Sequence, residues 1–408
     1  MIVKKNTNYE YYLRPPREQK YYQIMGNAAV FFHISHHSWW GLPRILKLVK
    51  FHYAIFIFVA LPCLLLEILY LYTKYDELTF ATKGTMFSLI PVTAITNIKI
   101  AVTMVSSYKS VMVKLMDEIH IYNFLGENKE FIKKKLIEVE RKNRWVTTFL
   151  VVFMFMDWLL WVISPILNNI KNKELVANRT MRLETCLYLW MPFEYGYEFR
   201  KWLVTHALNV YLVFVGGMTM AVMDSVNFIF IFHFLGHVDI LKHMITTYFA
   251  VPLNDKDTKE KIVEIIKYHS FVLSVFDNMQ AGFGMNVALN YLQNLVNDSL
   301  LLYQIMMGDK GNRVVYLFMM LFHMGGLTLM SCTLEQIRIK TDDLALDLYQ
   351  VPWEKMSINN QKLLIPIMLK MQKTLIFEGS CGLQTGVRPL VNIVKSTFSY
   401  YVMLKSTI

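Results

Sequence analysis

The sequence has few charged residues and little glycine or proline. Charged side chains make up 18% of the 408 residues, whereas soluble domains average about 25%. The 17 glycines and 11 prolines are too few for a collagen-like or low-complexity chain. Because the hydrophobic fraction is 54% and its apolar runs are spread along the whole chain, the composition predicts one integral membrane protein rather than a set of soluble domains.

Cysteine and catalytic motifs are equally sparse. The four cysteines are scattered singly: Cys63, Cys186, Cys332 and Cys381. No Cys-x-x-Cys pair indicates a zinc, haem or thioredoxin-like site. His233 and His237 are four residues apart, but Phe234 stands where a zinc protease motif has glutamate. We therefore predict no metal, no cofactor and no enzymatic activity, and we interpret these histidines as packed or interfacial.

The formal net charge of +11 raises the question of nucleic-acid binding. The lysines and arginines, however, cluster between apolar runs, as they do in the loops of membrane proteins. The first 30 residues lack the short apolar core and small-residue cleavage site of a signal peptide. We therefore expect membrane lipid and not nucleic acid as the partner, and we expect the first apolar run to direct insertion.

Seven apolar runs are long enough to cross a bilayer, because a transmembrane helix needs about 20 mostly apolar residues. They cover roughly 51–73, 85–107, 145–166, 202–232, 283–307, 312–334 and 383–404. The predicted fold class is an all-α integral membrane protein with seven transmembrane helices. Charged residues interrupt several of these runs: Glu67, Lys99, Asp157, Asp224, Asp298 and Lys395. Because such side chains are costly beside lipid, we expect them to face neighbouring helices or a wet cavity.

Lysine and arginine are unevenly distributed between the connections. Segments 1–50 and 108–144 are rich in them, whereas the connections around 74–83 and 308–313 carry very few. The positive-inside rule therefore places the N-terminus in the cytoplasm and, after seven crossings, the C-terminus outside the cell. This orientation is the inverse of a G-protein-coupled receptor. Asn178 begins an Asn-Arg-Thr sequon in a connection that the same rule places outside, which makes it a candidate glycosylation site.

The fourth and fifth apolar runs are accompanied by amphipathic extensions. Helical periodicity continues through 228–249, breaks at 252–255 and resumes after Thr258, and a similar segment covers 344–373. These segments predict a cytoplasmic helical anchor. The predicted organisation is a cytoplasmic segment 1–50, transmembrane helices one to four in 51–227, anchor extensions in 228–282, transmembrane helices five and six in 283–334, a cytoplasmic part of helix seven in 335–378, and its membrane part in 379–408.

The last apolar run carries a stripe of small and polar residues at helical spacing. Its members follow one another in steps of four and three residues: Asn392, Ser396, Ser399, Met403 and Ser406. A stripe of this kind either packs against another helix through its small residues or faces the water of a pore. Spacing alone leaves both interpretations open.

The last third of the chain also contains an ordered set of residues around this stripe. The set comprises Tyr349, Pro352-Trp353, Met356, Gln372-Lys373, Lys395, Phe398-Ser399-Tyr400 and Leu404. In order and spacing it resembles the insect odorant receptor family, as does Trp190-Met191-Pro192-Phe193 before the fourth run. The length, the topology and the long cytoplasmic helices agree with this family over essentially the whole chain. The pair Arg388-Pro389 departs from the family's pattern.

The resemblance implies a tetrameric, non-selective, ligand-gated cation channel in the plasma membrane of olfactory sensory neurons. The last helix of each subunit would line the pore, so the stripe would face cations with Met403 at the gate. Most family members are tuning subunits that assemble with a shared odorant co-receptor. The chain lacks both the co-receptor's long insertion between spans four and five and the Gln-Phe ending of gustatory receptors. It is therefore interpreted as a ligand-binding tuning subunit of a heterotetramer.

The resemblance also implies a pocket for a small volatile organic ligand among spans two to six. The corresponding residues here are Phe87, Ile90, Trp158, Trp161, His206, Tyr211, Tyr316 and Met320. Any one of these aromatics could equally be ordinary bundle packing. Two alternative functions remain: a gustatory-receptor-like homomeric channel, and a seven-helix receptor or transporter without its own pore. The internal repeat expected of a transporter is not found.

Overall fold

A computed structural model describes residues 10–43, 57–58, 61–125, 129–250, 254–307 and 313–406. Over these residues the chain is mostly helical, and its β structure is limited to an isolated antiparallel bridge between Glu378 and Gln384. The helices are α1 (Lys20–Phe31), α2 (Cys63–Lys74), α3 (Phe80–Val102), α4 (Ser106–Lys114), α5 (Lys129–Lys171), α6 (Lys173–Ala177), α7 (Phe199–Tyr248), α8 (Asp255–Met307), α9 (Arg313–Tyr349), α10 (Ile358–Met371) and α11 (Val387–Ser406).

Several helices are much longer than a bilayer is thick. Helix α7 has 50 residues and is therefore about 75 Å long, against about 30 Å of hydrocarbon. Within the described residues, four stretches are long and apolar enough to cross a membrane: Thr82–Val102, Glu130–Lys171, Phe199–Tyr248 and Arg313–Lys355. The chain is thus a helical membrane protein. The count of seven spans and the orientation of the termini stay predictions, and residues 51–56 and 59–60 of the first predicted span lie outside the described residues.

Helix α8 contains the fifth predicted span but is too polar to belong to those four stretches. Its polar side chains bind neighbouring helices instead of lipid. Asn290 of α8 donates a hydrogen bond to Asp224 Oδ1 of α7 at 2.8 Å and accepts one from Lys99 of α3. Polar residues therefore join three helices inside the bundle, which is a common use of such side chains in membranes.

The expectation that charged residues of the apolar runs face inward holds for most of them. Glu67, Lys99, Asp157 and Asp298 are each at most 7% exposed, and Asp224 is half-buried. Lys395 is exposed on α11. The difference arises because α11 packs mainly against α8 and α9 among the described helices, so much of its surface is uncovered in a single chain.

The interior of the bundle has two parts. One is the membrane part described above, and the other, called the second core below, lies where the long helices continue beyond the predicted bilayer. There α5, α7, α8 and α9 pack with α1, α4 and α10 around one cluster of buried side chains. The segment 115–125 lies directly against α7 at Gly236, where any Cβ would overlap Ile121. A larger residue there would require the end of the Ile121 side chain to shift, and the close approach brings His120 next to α7.

Helix boundaries differ in detail from the prediction. The predicted break near 252–255 falls partly outside the described residues, but α8 begins at Asp255 rather than after Thr258. It starts earlier because the Asn254 side chain accepts a hydrogen bond from the Asp257 backbone N–H at 2.8 Å. The predicted segment 344–373 is divided: α9 continues to Tyr349, and α10 starts after Ser357, whose hydroxyl caps it.

The final helix starts at Val387, later than the predicted 383. Gly386 has φ of +110°, a conformation that favours glycine and interrupts the helix. The Gly386 N–H donates to the Tyr291 hydroxyl at 3.0 Å, which fixes the entry of α11 to α8. Pro389 then occupies the first turn, where its missing N–H costs nothing.

Candidate functional site

A cavity of about 150 Å³ lies inside the bundle among α3, α5, α7, α8 and α9, and Cys63 at the start of α2 completes its helical lining. Its lining is mostly apolar, with a small number of polar side chains. The polar members are Thr93, Thr96, Asn97, Asp157, Thr219, Gln293, Asn297 and His323. A cavity of this volume holds a molecule about the size of benzene, and an apolar lining with a few convergent polar groups is the usual character of a small-molecule site.

Two tryptophans of α5, Trp158 and Trp161, line this cavity. The Trp158 indole N–H donates to the Val210 backbone carbonyl at 3.1 Å, and its ring meets Phe214 edge-on at a centroid distance of 5.3 Å. Trp161 packs against the cluster formed by Leu301 and Tyr316. Both indoles are therefore held by neighbouring helices as well as by their own.

Ionisable groups gather at one side of the same cavity. Asp157 and His323 line it, and the Asp157 Oδ2 atom is 4.0 Å from the His323 Nε2 atom. On the other side of the imidazole ring, His323 Nδ1 is 3.9 Å from Asp298 Oδ1. These separations are too long for direct hydrogen bonds, so the two carboxyls flank the imidazole without a direct bond to it.

The connection between α6 and α7, residues 178–198, lies at the end of the bundle next to the cavity. The Trp202 indole N–H donates to the Glu184 carbonyl at 2.7 Å, and Asn209 donates to the Thr185 hydroxyl at 3.0 Å. These bonds attach the connection to α7. They set Leu187 into the lining of the cavity.

The other residues predicted for the pocket lie outside this lining. Phe87 is 47% exposed, and Ile90 packs in a separate cluster around Tyr70 and Met86. Helix α3 turns Leu89, Thr93 and Thr96 toward the cavity instead. Phe87 and Ile90 lie on other faces of α3 than these residues. The sequence of one span does not show which of its faces points toward the neighbouring helices.

The predicted residues of α7 and α9 are engaged in packing. His206 stacks on Trp202 at 4.7 Å and shares a hydrogen bond with the Thr185 hydroxyl at 2.9 Å. Tyr211 packs against the apolar cluster around Cys63. Tyr316 and Met320 support Trp161 in the cluster with Leu301, so they lie one layer behind the cavity.

Several lining residues were not among the predicted pocket residues. Gln293, Asn297 and Leu301 are spaced at four residues along α8, and Thr93 and Thr96 are one turn apart on α3. Polar side chains repeating at helical spacing in an apolar run are a readable signal of an inward face. Asp157, four residues before Trp161, belongs to the same kind of pattern.

The polar stripe of α11 lies opposite the face that packs. Leu390 and Ile393 contact the core and Thr397 is 1% exposed, whereas Asn392, Ser396 and Ser399 are exposed. Within one chain the stripe therefore does not pack against another described helix. Met403 and Ser406 continue the stripe on the helix backbone, but their side chains lie outside the described part of the structure.

A cluster of buried polar side chains lies in the second core. His120, Glu140 and His233 offer atoms that all lie within 4.8 Å of one another, an arrangement able to hold a metal ion. The Tyr22 hydroxyl lies among them, 2.8 Å from Glu140 Oε1 and 3.1 Å from the Nε2 atom of each histidine.

Hydrogen bonds from the backbone argue against a metal in this cluster. The Tyr122 N–H donates to His120 Nδ1 at 3.1 Å, and the Ile121 N–H approaches His233 Nδ1 at 3.4 Å. Each neutral ring then carries its proton on Nε2, the atom that would have to bind the metal. The cluster is better suited to a hydrogen-bond network, and burial lowers the pKa of His120 to about 3.

Asn178, the predicted glycosylation site, is exposed at the C-terminal end of the short helix α6. Arg179 follows with φ of +56°, so the chain turns there and presents the sequon at the surface. This position is accessible to modification only if the connection is extracellular.

The 7tm Odorant receptor family model matches residues 80–398, and the chain belongs to this family. Among curated proteins, no sequence matches the chain. The match covers α3, α5, α7, α8 and α9, which supply most of the cavity lining, and most of α11.

Two solved structures share the fold. The insect olfactory receptor OR5 from Machilis hrabei in complex with eugenol has a TM-score of 0.71 with 13% identity, covering 95% of this chain and 98% of that chain. The structure of the insect olfactory receptor OR5 from Machilis hrabei described without that ligand has a TM-score of 0.73 with 13% identity, covering 94% and 97%. At this identity the similarity establishes the fold alone.

Proposed function

We propose that this chain is the ligand-binding subunit of a heterotetrameric, ligand-gated, non-selective cation channel that it forms with odorant co-receptor subunits. Its location would be the plasma membrane of olfactory sensory neurons. The observation that supports this proposal best is the cavity inside the helical bundle, with two tryptophans and a few polar groups in an otherwise apolar lining. The small volatile ligand of the proposal would bind there, by analogy with the OR5 structure that contains eugenol.

The geometry of α11 supports a pore-lining role. Its polar stripe points away from the rest of the chain, and one flank is both apolar and uncovered: Val391, Val394, Phe398 and Val402 are 37–61% exposed. In a tetramer, neighbouring subunits would cover this flank, and the stripe would face the central axis. A helix with these two surfaces fits a pore between subunits better than it fits a lipid-facing position.

Basic residues on α11 favour a heteromer over a homomer. Arg388 and Lys395 are both exposed, and Arg388 lies one turn before Asn392 on the polar face. Four copies around one axis would place rings of positive charge along a cation path, which opposes cation entry. Co-receptor subunits would dilute these rings, whereas a gustatory-receptor-like homomer would retain them.

The test is ligand-evoked current in cells that express the chain with and without the odorant co-receptor. We expect a cation current to a panel of small volatiles only when both are present, with normal surface expression in each case. Robust current from the chain alone would favour the homomeric alternative. Ligand binding without current in either case would favour a receptor without its own pore.

A further inference from the structure

The membrane half of the bundle contains more carboxyl groups than cationic groups. Among its described residues, the interior holds the carboxyls of Glu67, Asp157, Asp224 and Asp298, against the cations Lys99 and, if protonated, His323. Two carboxyls therefore lack a cationic counterpart even when His323 carries a proton. Because buried charges are normally paired, either these carboxyls hold protons or a cation from outside the chain accompanies them.

One of these two carboxyls lies at the cavity, and the other is Glu67, which accepts a hydrogen bond from the Thr93 hydroxyl at 3.1 Å. Lys99 and Asp224 are linked through Asn290, which accepts from the lysine and donates to the aspartate. Asp157 has no comparable link. It lines the cavity at 7% exposure, and its Oδ1 atom is buried without a hydrogen-bond partner among the described residues.

A second buried carboxyl group, that of Asp298, lies close to the same place. Asp298 is fully buried, and neither of its carboxyl oxygens has a hydrogen-bond partner in the described part of the chain. His323 stands between Asp298 and Asp157 at 3.9 and 4.0 Å. A single imidazolium balances only one of the two carboxylates, so the pair can accommodate one further positive charge.

Trp158 and Trp161 supply aromatic surface to the site. Because the Trp158 indole N–H is already donated to the Val210 carbonyl, its remaining contribution to the cavity is its aromatic surface. Trp161 lies one turn further along α5 and also lines the cavity. Indole faces attract organic cations through their quadrupole, and they bind the alkyl part of a ligand through apolar contact.

We infer that the cavity binds a small protonated amine, with the Asp157 carboxylate as its counterion and Trp158 and Trp161 around its hydrocarbon part. This inference rests on the proposed function and names the ligand class for the same cavity. The volume of about 150 Å³ admits a ring about the size of benzene. Neutral molecules of the same shape lose the charge pairing, and carboxylates are repelled.

The first test needs no mutation. Three cyclohexane derivatives of similar shape, cyclohexylamine, cyclohexanol and cyclohexanecarboxylate, are applied to cells expressing the full chain with the co-receptor at pH 7, where an alkyl amine is protonated. We expect the amine to be at least about tenfold more potent than the alcohol, and the carboxylate to be inactive. An alcohol or carboxylate as potent as the amine would overturn the inference.

The second test removes the charge at constant shape. Asp157→Asn should reduce sensitivity to cyclohexylamine by about 10–100-fold, a loss larger than any that it causes for cyclohexanol. Asp277→Asn, the same change at an exposed position of α8, is the matched control and should alter neither response. An Asp157→Asn channel at the cell surface with unchanged amine sensitivity would remove Asp157 from the site.

Direct binding separates this inference from the proposed channel function. Cyclohexylamine should raise the melting temperature of the purified full-length protein, whereas cyclohexanol at the same concentration should do so less. Stabilisation by the amine with no evoked current would leave the inference standing and defeat the channel proposal. Current evoked by neutral volatiles without any stabilisation by the amine would do the reverse.

Discussion

At the scale of single residues, the two cavity tryptophans are held in different ways. Trp158 is fixed by a hydrogen bond to α7 and by ring contacts with Phe155 and Phe214, whereas Trp161 relies on packing against the cluster around Leu301. In the proposed binding site, loss of either ring would remove contact with the ligand. Loss of Trp158 also leaves the Val210 carbonyl without its donor.

We predict that Trp158→Ala and Trp161→Ala each weaken the ligand response by about 5–150-fold, because each removes roughly 1–3 kcal/mol of contact. Tyr316→Ala should have a smaller effect, since Tyr316 supports Trp161 without lining the cavity. Dose–response curves of channels with matched surface expression measure these changes. Phe87→Ala, at a 47% exposed position of α3, is the control; a shift there without one at the tryptophans would move the site elsewhere.

Two buried histidines of the second core make stability depend on pH. Burial lowers the pKa of His120 to about 3 and that of His269 to about 4, while an unfolded chain protonates histidine near 6.5. Between these values the unfolded state binds more protons than the folded state. The free energy of unfolding therefore falls as pH drops below about 6.5, by about 1.4 kcal/mol per pH unit for each histidine.

Thermal unfolding of the purified protein from pH 7.5 to pH 5 tests this sign. We expect the melting temperature to fall with acidification, and His120→Asn or His269→Asn to flatten the dependence whatever they do to stability at pH 7.5. His36→Asn changes an exposed histidine and should keep the original slope. A slope unchanged in both buried variants would assign the pH dependence to other groups.

The sequence predicted the position of a residue correctly where exposing its side chain to lipid would cost much free energy. A carboxylate in an apolar run must avoid lipid, so the inward positions of Asp157 and Asp298 follow from the sequence. The positions of His206 and Phe87 do not, because an aromatic ring is tolerated both in packing and at a lipid-facing surface. Only the helical phase against neighbouring helices separates those cases, and the sequence alone does not contain it.

At the scale of elements, α11 is a helix that a single chain covers only in part. One face packs on α8 and α9, and the opposite face carries exposed Asn392, Ser396 and Ser399. The 3.6-residue period was enough to predict the stripe. It was not enough to predict the start of the helix, which the glycine conformation at Gly386 determines.

We predict that cysteines placed along α11 react with a charged thiol reagent in a helical pattern. Positions 403 and 406 should be modified from outside, 406 without ligand and 403 faster with ligand, whereas 402 should resist because a neighbouring subunit covers that flank. The rate of current change measures modification. The scan needs a Cys332→Ser background, since Cys332 is exposed.

Position 390 provides the internal control, because Leu390 packs against the core and a cysteine there should stay unreactive. Reactivity that follows no helical period, or that falls on 402 and 404, would contradict a pore-facing stripe. Close packing of this face against a neighbouring subunit would then be the better interpretation.

At the scale of the whole molecule, the long helices explain how one chain forms two cores. Helices α5, α7, α8 and α9 contribute to the polar and apolar interior around the cavity and also to the core that includes α1 and α10. The amphipathic extension of the apolar runs predicted this continuity. The polar cluster of Tyr22, His120, Glu140 and His233 could not be predicted, since its members are up to 211 residues apart in the sequence.

Orientation in the membrane yields the last prediction, which depends on charge distribution rather than on packing. Lysine and arginine concentrate in segments 1–50 and 108–144, so the N-terminus should lie in the cytoplasm and the C-terminus outside. A tag before Met1 should bind antibody only after cells are permeabilised, and a tag after Ile408 without permeabilisation. Asn178, exposed at the end of α6, should then carry a glycan that a glycosidase removes and that Asn178→Gln prevents. The opposite pattern of tag access would place segment 108–144 outside the cell, against the positive-inside rule, and would invert the channel.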